Sequence, residues 1–452
     1  MATEIVVGID FGTTYSGVSW AINGGEKKIH IVNDWPNPNA SVANSDKVAS
    51  KISYQNWKAK NWGFNVELKE QSLSWFKLLL DPNNKIGQGS DKVVDTLRQL
   101  EALNKAPEDV SVDYLSKLWQ YTKDKISKVR GEDWTDIYTV RAVLTVPAIW
   151  SDSAKDRTLR IAKRAGIPDN VSLVSEPEAA ALAVLREKKE EGEPLRIGDC
   201  FVVCDAGGGT VDLISYKISS LEPFQVEECA MGAGDLCGSV YLDQAFERYI
   251  RLIVGESQWK QLKPKSKQKM MLDFENSIKR SYAGDDKQFT VDLQGVEDNA
   301  SVGIDDETIT LKSNALKTIF DHVIGQILRL VENQVAEVEE KGNHVKAILL
   351  VGGFGTNRYL YKQLNHAYQT VRVLQATGGS ENSVKVLCKV DFAIDRAKLW
   401  AEKSFKDPAT GQKWRTALFD FGIRLDDTTL DFFVTYKGEE VASVAANYME
   451  EF

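Results

Sequence analysis

Val6-Val7-Gly8-Ile9-Asp10-Phe11-Gly12-Thr13-Thr14 is echoed far down the chain by Val202-Val203-Cys204-Asp205-Ala206-Gly207-Gly208-Gly209-Thr210. Each copy is an apolar β-branched run, then Asp, then glycine-containing turn residues, then Thr. A second extended stretch follows each, Tyr15–Ile22 and Val211–Ile218. That pattern reads as a β-hairpin with an acid at its tip. One acidic, glycine-bearing tip is common among hairpins. Two copies closing matching strands imply two related lobes that face each other, with the boundary near the charged stretch Lys188–Glu193.

Outward from the repeat, short apolar runs alternate with helical periodicity. Ile5–Ile9, Tyr138–Val146, Cys200–Cys204 and Val345–Val351 read as strands. Val93–Leu103, Tyr114–Val129, Ser153–Ala165, Glu178–Lys189, Val240–Ile253, Ser266–Tyr282 and Asn314–Val338 read as helices. Alternation of this kind predicts α/β architecture with mostly parallel sheets. After about Ala376 the character changes: Gly378-Gly379-Ser380, a Lys/Asp-rich helical piece near Ala397–Ser404, and strand-like runs Thr416–Leu425 and Thr429–Tyr436. The expected organisation is one lobe over 1–195, a second over 196–375 and a small β-rich appendage over 376–452.

The 452 residues are 43% hydrophobic and 27% charged, which excludes disorder and fibrous repeats. The net charge of -9 argues against nucleic acid as a partner, since such binding needs a basic surface. No apolar run is long enough to cross a bilayer, and Met1-Ala2-Thr3-Glu4 runs straight into a strand with no secretory pattern. Five cysteines without CxxC or Cys/His spacing point to a reducing compartment. The expectation is a cytoplasmic protein, with the nucleus as the alternative, monomeric and without a membrane partner.

The tips carry the chemistry. Glycines let the backbone approach a phosphate, and successive N–H groups in such turns make anion nests. The terminal Asp cannot bind phosphate directly but can hold a hydrated Mg²⁺ that bridges it. A third element, the strand Val345–Val351 ending in Gly352-Gly353-Phe354-Gly355 before a helical pattern from Asn357, has the layout for packing backbone against a nucleotide. No GxxxxGK[ST] occurs, so this is not a P-loop.

Together the three elements resemble the two phosphate motifs and the adenosine motif of the actin/hexokinase/heat-shock ATPase superfamily. Within it they are most similar to the seventy-kilodalton heat-shock (DnaK-like) chaperones. Ile9–Ser16 and Asp205–Asp212 resemble that family's two signatures. Leu144–Ala148, Ala162–Gly166 and Ser175–Ala181 resemble its inter-lobe segment. Trp62-Gly63 and Phe76–Pro82 look like a divergent, heat-shock-seventy-like subgroup. The resemblance runs from about Ile5 to Leu364. It implies a two-lobed actin-like ATPase fold, built from two ribonuclease-H-like lobes around a nucleotide cleft, with ATP or ADP and Mg²⁺ as cofactors.

The resemblance also implies roles. Asp10 and Asp205 would hold Mg²⁺ through water. Gly12, Thr13, Thr14 and Tyr15, with Gly207, Gly208, Gly209 and Thr210, would cradle the phosphates, and Asp212 would shape the second turn. Gly238, with Gly232 and Gly234, fits the glycine-rich turn after the second motif. Glu275, Lys279 and Arg280 would flank adenine, the acid standing one place from the matched Asn276. Gly352, Gly353 and Phe354 would meet the adenosine. Lys77, Glu176 and Asp205 would be catalytic. By residue type alone Lys77 reads as a helix-surface lysine, Ser175/Glu178 as a capping box around Pro177, and Pro147 equally as a switch or a strand stop. The small residues Ala162, Ala165, Gly166 and Ala179–Ala183 suit crossing helices at a hinge or plain core packing.

The family's second inter-lobe helix is not recognisable after Gln375, and Phe419–Ile423 and Val434–Val441 resemble only the start of its β-rich region, with no helical lid. Peptide clamping is therefore not expected. The expected function is a chaperone-type ATPase whose nucleotide state drives lobe closure, with client or regulatory proteins as partners. The rivals are a nucleotide-binding scaffold without turnover and a small-molecule kinase of the same superfamily.

Overall fold

The computed structural model describes residues 3–23, 28–37, 45–67, 69–81, 91–190, 195–222 and 224–375, and beyond them 404–406, 413–415, 420–426, 429–437 and 439–447. Two compact units result, Met1–Gly379 and Ser380–Phe452.

The larger unit holds two sheets of matching topology. In the first, Glu4–Asp10 pairs antiparallel with Tyr15–Asn23 on one side and parallel with Thr139–Val146 on the other, which pairs parallel with Ser172–Ser175. In the second, Cys200–Ala206 pairs antiparallel with Val211–Leu221 and parallel with Val345–Val351, which pairs parallel with Arg372–Gln375. The sequence echo is thus a structural repeat: each hairpin sits beside two parallel strands. Central strands such as Cys200–Ala206 are apolar at nearly every position because helices cover both faces.

Each sheet has its own core. Ile5, Val7, Ile9 and Phe11 join Tyr114, Leu118, Ile161 and Ala162 in one. Val202, Cys204 and Val211 join Phe246, Phe274, Phe320 and Ile348 in the other. The helix Glu176–Glu190 follows directly on a strand of the first sheet, yet Ala181, Val184 and Leu185 pack against Phe201, Val203 and Leu349 of the second. Its alanines let it lie close to that sheet. Ala162 and Ala165 sit in the first core. Cys200, Cys204, Cys229 and Cys237 carry free thiols, and among the described residues no helix is long and apolar enough to cross a membrane.

Some elements differ from the sequence reading. The helix expected at Tyr114–Val129 starts at Pro107 instead. Proline suits a first helical position, and the Asp109 carboxylate accepts the Ala106 N–H at 3.2 Å. The helix expected at Ser266–Tyr282 begins at Pro264 and is interrupted by a π turn at Phe274–Ile278. The helical piece near Ala397–Ser404 lies outside the described residues up to 403, and Ser404 opens a short strand, Ser404–Lys406. The missing inter-lobe helix, sought from Ala376 onward, also falls outside the described residues. The smaller unit contains a three-stranded antiparallel sheet of Asp420–Asp426, Thr429–Tyr436 and Glu439–Asn447.

Candidate functional site

The two tips meet. A Cβ built on Gly208 would lie 2.1 Å from Thr14 Oγ1, and one on Gly209 would lie 3.2 Å from Thr13 Cγ2. Only glycine lets the second tip come this close to the first.

Both tips are braced through their carbonyl oxygens. Ser50, which follows the strand Lys47–Ala49, donates its hydroxyl to Gly12 O at 2.6 Å and its N–H to Thr14 O at 2.8 Å. At the second tip, the N–H groups of Gly238, Ser239 and Val240, at the start of the helix Val240–Val254, donate to the carbonyls of Gly209, Gly207 and Gly208. Gly207 donates to Thr210 O at 2.9 Å. Among the described residues no acceptor takes the N–H groups of Gly12, Thr13, Thr14, Gly208 or Gly209. Two apposed turns with unspent donors form an anion-binding concavity. Gly238 serves this from behind: it is buried, and its Cβ would stand 2.6 Å from the Gly208 and Gly209 backbone.

The acids gather beside the tips. Asp10 Oδ2 accepts from Lys47 Nζ at 2.6 Å and Oδ1 from Thr145 Oγ1 at 3.1 Å. Burial would raise the Asp10 carboxyl, but Lys47, with Lys77 and Thr145, holds it below its ordinary value. Asp205 is pushed up to about 8, first by burial, then by Glu176, Asp212 and Asp10. Asp212, which pairs with Asp205 across the hairpin, is pushed up to about 7 by burial and Glu176, and its Oδ1 has no hydrogen-bond partner among the described residues. Its Oδ2 accepts from Thr210 Oγ1 at 3.0 Å, which ties the ends of the turn.

Lys77 is not the surface lysine that residue type suggested. It is 2% exposed, in the short 3-10 turn Phe76–Leu80, and its ammonium bonds Glu176 between the rings of Trp150 and Phe11, 5.5 and 5.7 Å away. Trp75 enters this turn at φ 64, a left-handed conformation rare for an aromatic residue, with its ring beside Gly209. Asp81 closes the turn by accepting both the N–H and the hydroxyl of Ser151 at 3.1 Å. Ser151 in turn caps the helix Asp152–Arg164. Glu176 opens the bridging helix, where Ser175 Oγ accepts the Glu178 N–H at 3.2 Å, the expected half of the capping box. Pro147 directly follows the strand Thr139–Val146.

On the second lobe, Lys279 is buried and bonded to Asp243 at 2.9 Å and to Glu275 at 2.6 Å. Glu275 stands four residues before Lys279, the spacing that puts two side chains on one helix face, and the pair lies across the π turn Phe274–Ile278. Arg280 is exposed. Burial raises the Tyr15 hydroxyl above its ordinary value, with Glu275 adding to the rise and Lys279 opposing it. Gly352, at φ +80, sits where a Cβ would lie 2.3 Å from Asp205 Oδ1, and Gly353 is exposed. Phe354 is 4% exposed in the second core, so it presents no side chain to a ligand. Asn357 fastens the third glycine element to the Lys279 helix, donating to Lys279 O at 2.7 Å while capping the helix Arg358–Ala367.

The site residues missed by sequence reasoning are Lys47, Ser50, Thr145 and Asp243. Thr145 lay within the Leu144–Ala148 stretch without a role of its own, and all four reach the site through strand pairing or packing.

Two sheets of one topology, with paired acidic tips and a bridging helix, define an actin-like ATPase fold. The family model described as Hsp70 protein matches residues 83–359, more than half of the chain. The chain belongs to the Hsp70 family. It is 27% identical over 352 residues to heat shock 70 kDa protein 12A of Mus musculus, covering 62% of this chain and 50% of that one. It is 25% identical over 356 residues to chaperone protein DnaK of Mycoplasmopsis pulmonis, covering 78% and 52%. Against heat shock 70 kDa protein 12B of Homo sapiens it is 23% identical over 458 residues, covering 81% and 64%. The chain thus spans about half the length of the first two relatives and under two thirds of the third.

Proposed function

We propose that the protein binds ATP between the two tips and hydrolyses it, the nucleotide state biasing the separation of the lobes. The observation that carries this reading is the contact of Thr13 and Thr14 with Gly208 and Gly209, each tip braced through its carbonyls and holding unspent N–H groups. Such donors suit phosphate oxygens. Gly352, Gly353 and the Glu275–Arg280 segment would line the sugar and base.

One carboxylate suits a hard cation: Asp205 offers an oxygen ligand that no described donor occupies, while the Asp10 carboxylate is bonded by Lys47 and Thr145. Bound there, Mg²⁺ would neutralise phosphate charge. The chain's own groups supply positioning. The Lys77 ammonium would stabilise the γ-phosphate, and Glu176 would orient the attacking water. Lys77 and Glu176 would have to exchange their mutual bond for bonds to substrate and water. That pairing also supports a second reading, a nucleotide-binding scaffold that turns over slowly.

Chaperone action and client or regulatory proteins as partners belong to the same proposal, as do a cytoplasmic location and a monomeric state. Isothermal titration of ATP with Mg²⁺ tests the first reading. Wild-type protein should bind one equivalent, and Asp205→Asn, which removes an oxygen ligand for Mg²⁺, should slow single-turnover hydrolysis at least about tenfold. No binding by the wild type rejects it. Single-turnover hydrolysis separates the second reading: ATP recovered intact after hours, with Lys77→Ala indistinguishable, favours the scaffold.

A further inference from the structure

The strand Lys47–Ala49 pairs antiparallel with Tyr15–Asn23 so that Lys47 stands opposite Gly17, and Gly17 stands opposite Asp10. Asp10, Gly17 and Lys47 therefore form one row across three strands. Gly17 has no side chain, and the lysine stem runs over it: a Cβ built on Gly17 would lie 3.4 Å from Lys47 Cγ and 3.9 Å from Cε. The ammonium lands 2.6 Å from Asp10 Oδ2, and the other carboxylate oxygen is taken by Thr145. Both partners remain open to an entering ligand, with side chains 45% and 34% exposed. The charges of Asp205 and Glu176 act on the same ammonium.

We propose that Lys47 is a built-in cation of the phosphate site: its ammonium occupies the position at Asp10 that a hydrated metal ion would need and bridges that carboxylate to the phosphates of a bound nucleotide. The inference rests on the nucleotide reading above. A lysine ammonium has three donors on a flexible stem, so it can keep Asp10 and still give two to phosphate. A divalent ion would have to break a charge-assisted hydrogen bond to gain the same carboxylate. Nucleotide binding by this protein therefore depends weakly on Mg²⁺.

The test uses the full chain, with ADP and ATP titrated calorimetrically in Mg²⁺ and in EDTA. Wild-type affinity should fall less than about threefold on chelation, whereas Lys47→Ala should lose at least about tenfold in EDTA and recover it with Mg²⁺. Lys47→Arg should behave as wild type. On the nucleotide-free protein, Mn²⁺ followed by its paramagnetic resonance signal should bind Lys47→Ala at least about tenfold more tightly than wild type. Gly17→Val provides a route that keeps the lysine: the added branches push its stem aside and should make binding metal-dependent. A wild type that loses tenfold or more in EDTA, or a Lys47→Ala protein matching wild type in both buffers, overturns the proposal while leaving nucleotide binding standing. A wild type that binds nucleotide in neither buffer overturns both.

Discussion

Lys77 shows how a single residue can change meaning between sequence and structure. Its neighbours in the chain, Trp75 to Leu80, form an apolar run that hints at burial, but its charged partner Glu176 and its aromatic walls Phe11 and Trp150 come from distant segments. Nothing local specifies a buried ion pair. Lys77→Ala should slow single-turnover hydrolysis at least about 100-fold while changing ATP affinity less than about fivefold. It should also cost about 1–3 kcal/mol in chemical denaturation, because it leaves the Glu176 carboxylate unpaired in a largely buried place. Asp212 predicts a pH effect. Its folded-state value, about 7, lies above the unfolded value, so the folded, ligand-free protein holds a proton that the unfolded chain gives up. Stability from this group is complete below about pH 4 and lost as pH rises through about 7. Asp212→Asn, which cannot ionise, should therefore stabilise the ligand-free protein by about 1–3 kcal/mol at pH 8 and by little at pH 4, as read by denaturation at both values.

At the scale of elements, the strands and hairpins were legible because their period, their acids and their glycines are local. The braces were not. The Gly238–Val240 amides reach the second tip only after the strand Phe224–Asp235 has folded back, and Ser50 reaches the first only through strand pairing. The π turn at Phe274–Ile278 was not legible in the sequence. Gly238→Ala would drive a Cβ into the backbone of Gly208 and Gly209. It should cost about 1–3 kcal/mol and abolish calorimetrically detectable ATP binding. Gly166→Ala provides the contrast. That residue has φ +84 but open space around its Cβ, so the change should cost about 1 kcal/mol of backbone strain and leave binding intact.

At the scale of the molecule, the echoed motif announced two lobes, and the matching sheets bear that repeat out. How the lobes are joined was less readable, because the helix Glu176–Glu190 looks in sequence like any alanine-rich helix. It leaves a strand of the first sheet and packs on the second, so a ligand drawing Glu176 toward the tips would act on both lobes at once. A nucleotide bridging the lobes should raise the unfolding free energy of the larger unit by about 2.7 kcal/mol at a hundredfold excess over Kd, measured by scanning calorimetry. The most direct measurement is a crystal structure with ATP, read at the Thr14–Gly208 contact. The account predicts phosphates lying between the two turns, with the Thr14 hydroxyl drawn off Gly208 onto a phosphate oxygen. A nucleotide bound elsewhere, or turns still touching in nucleotide-saturated crystals, would contradict it.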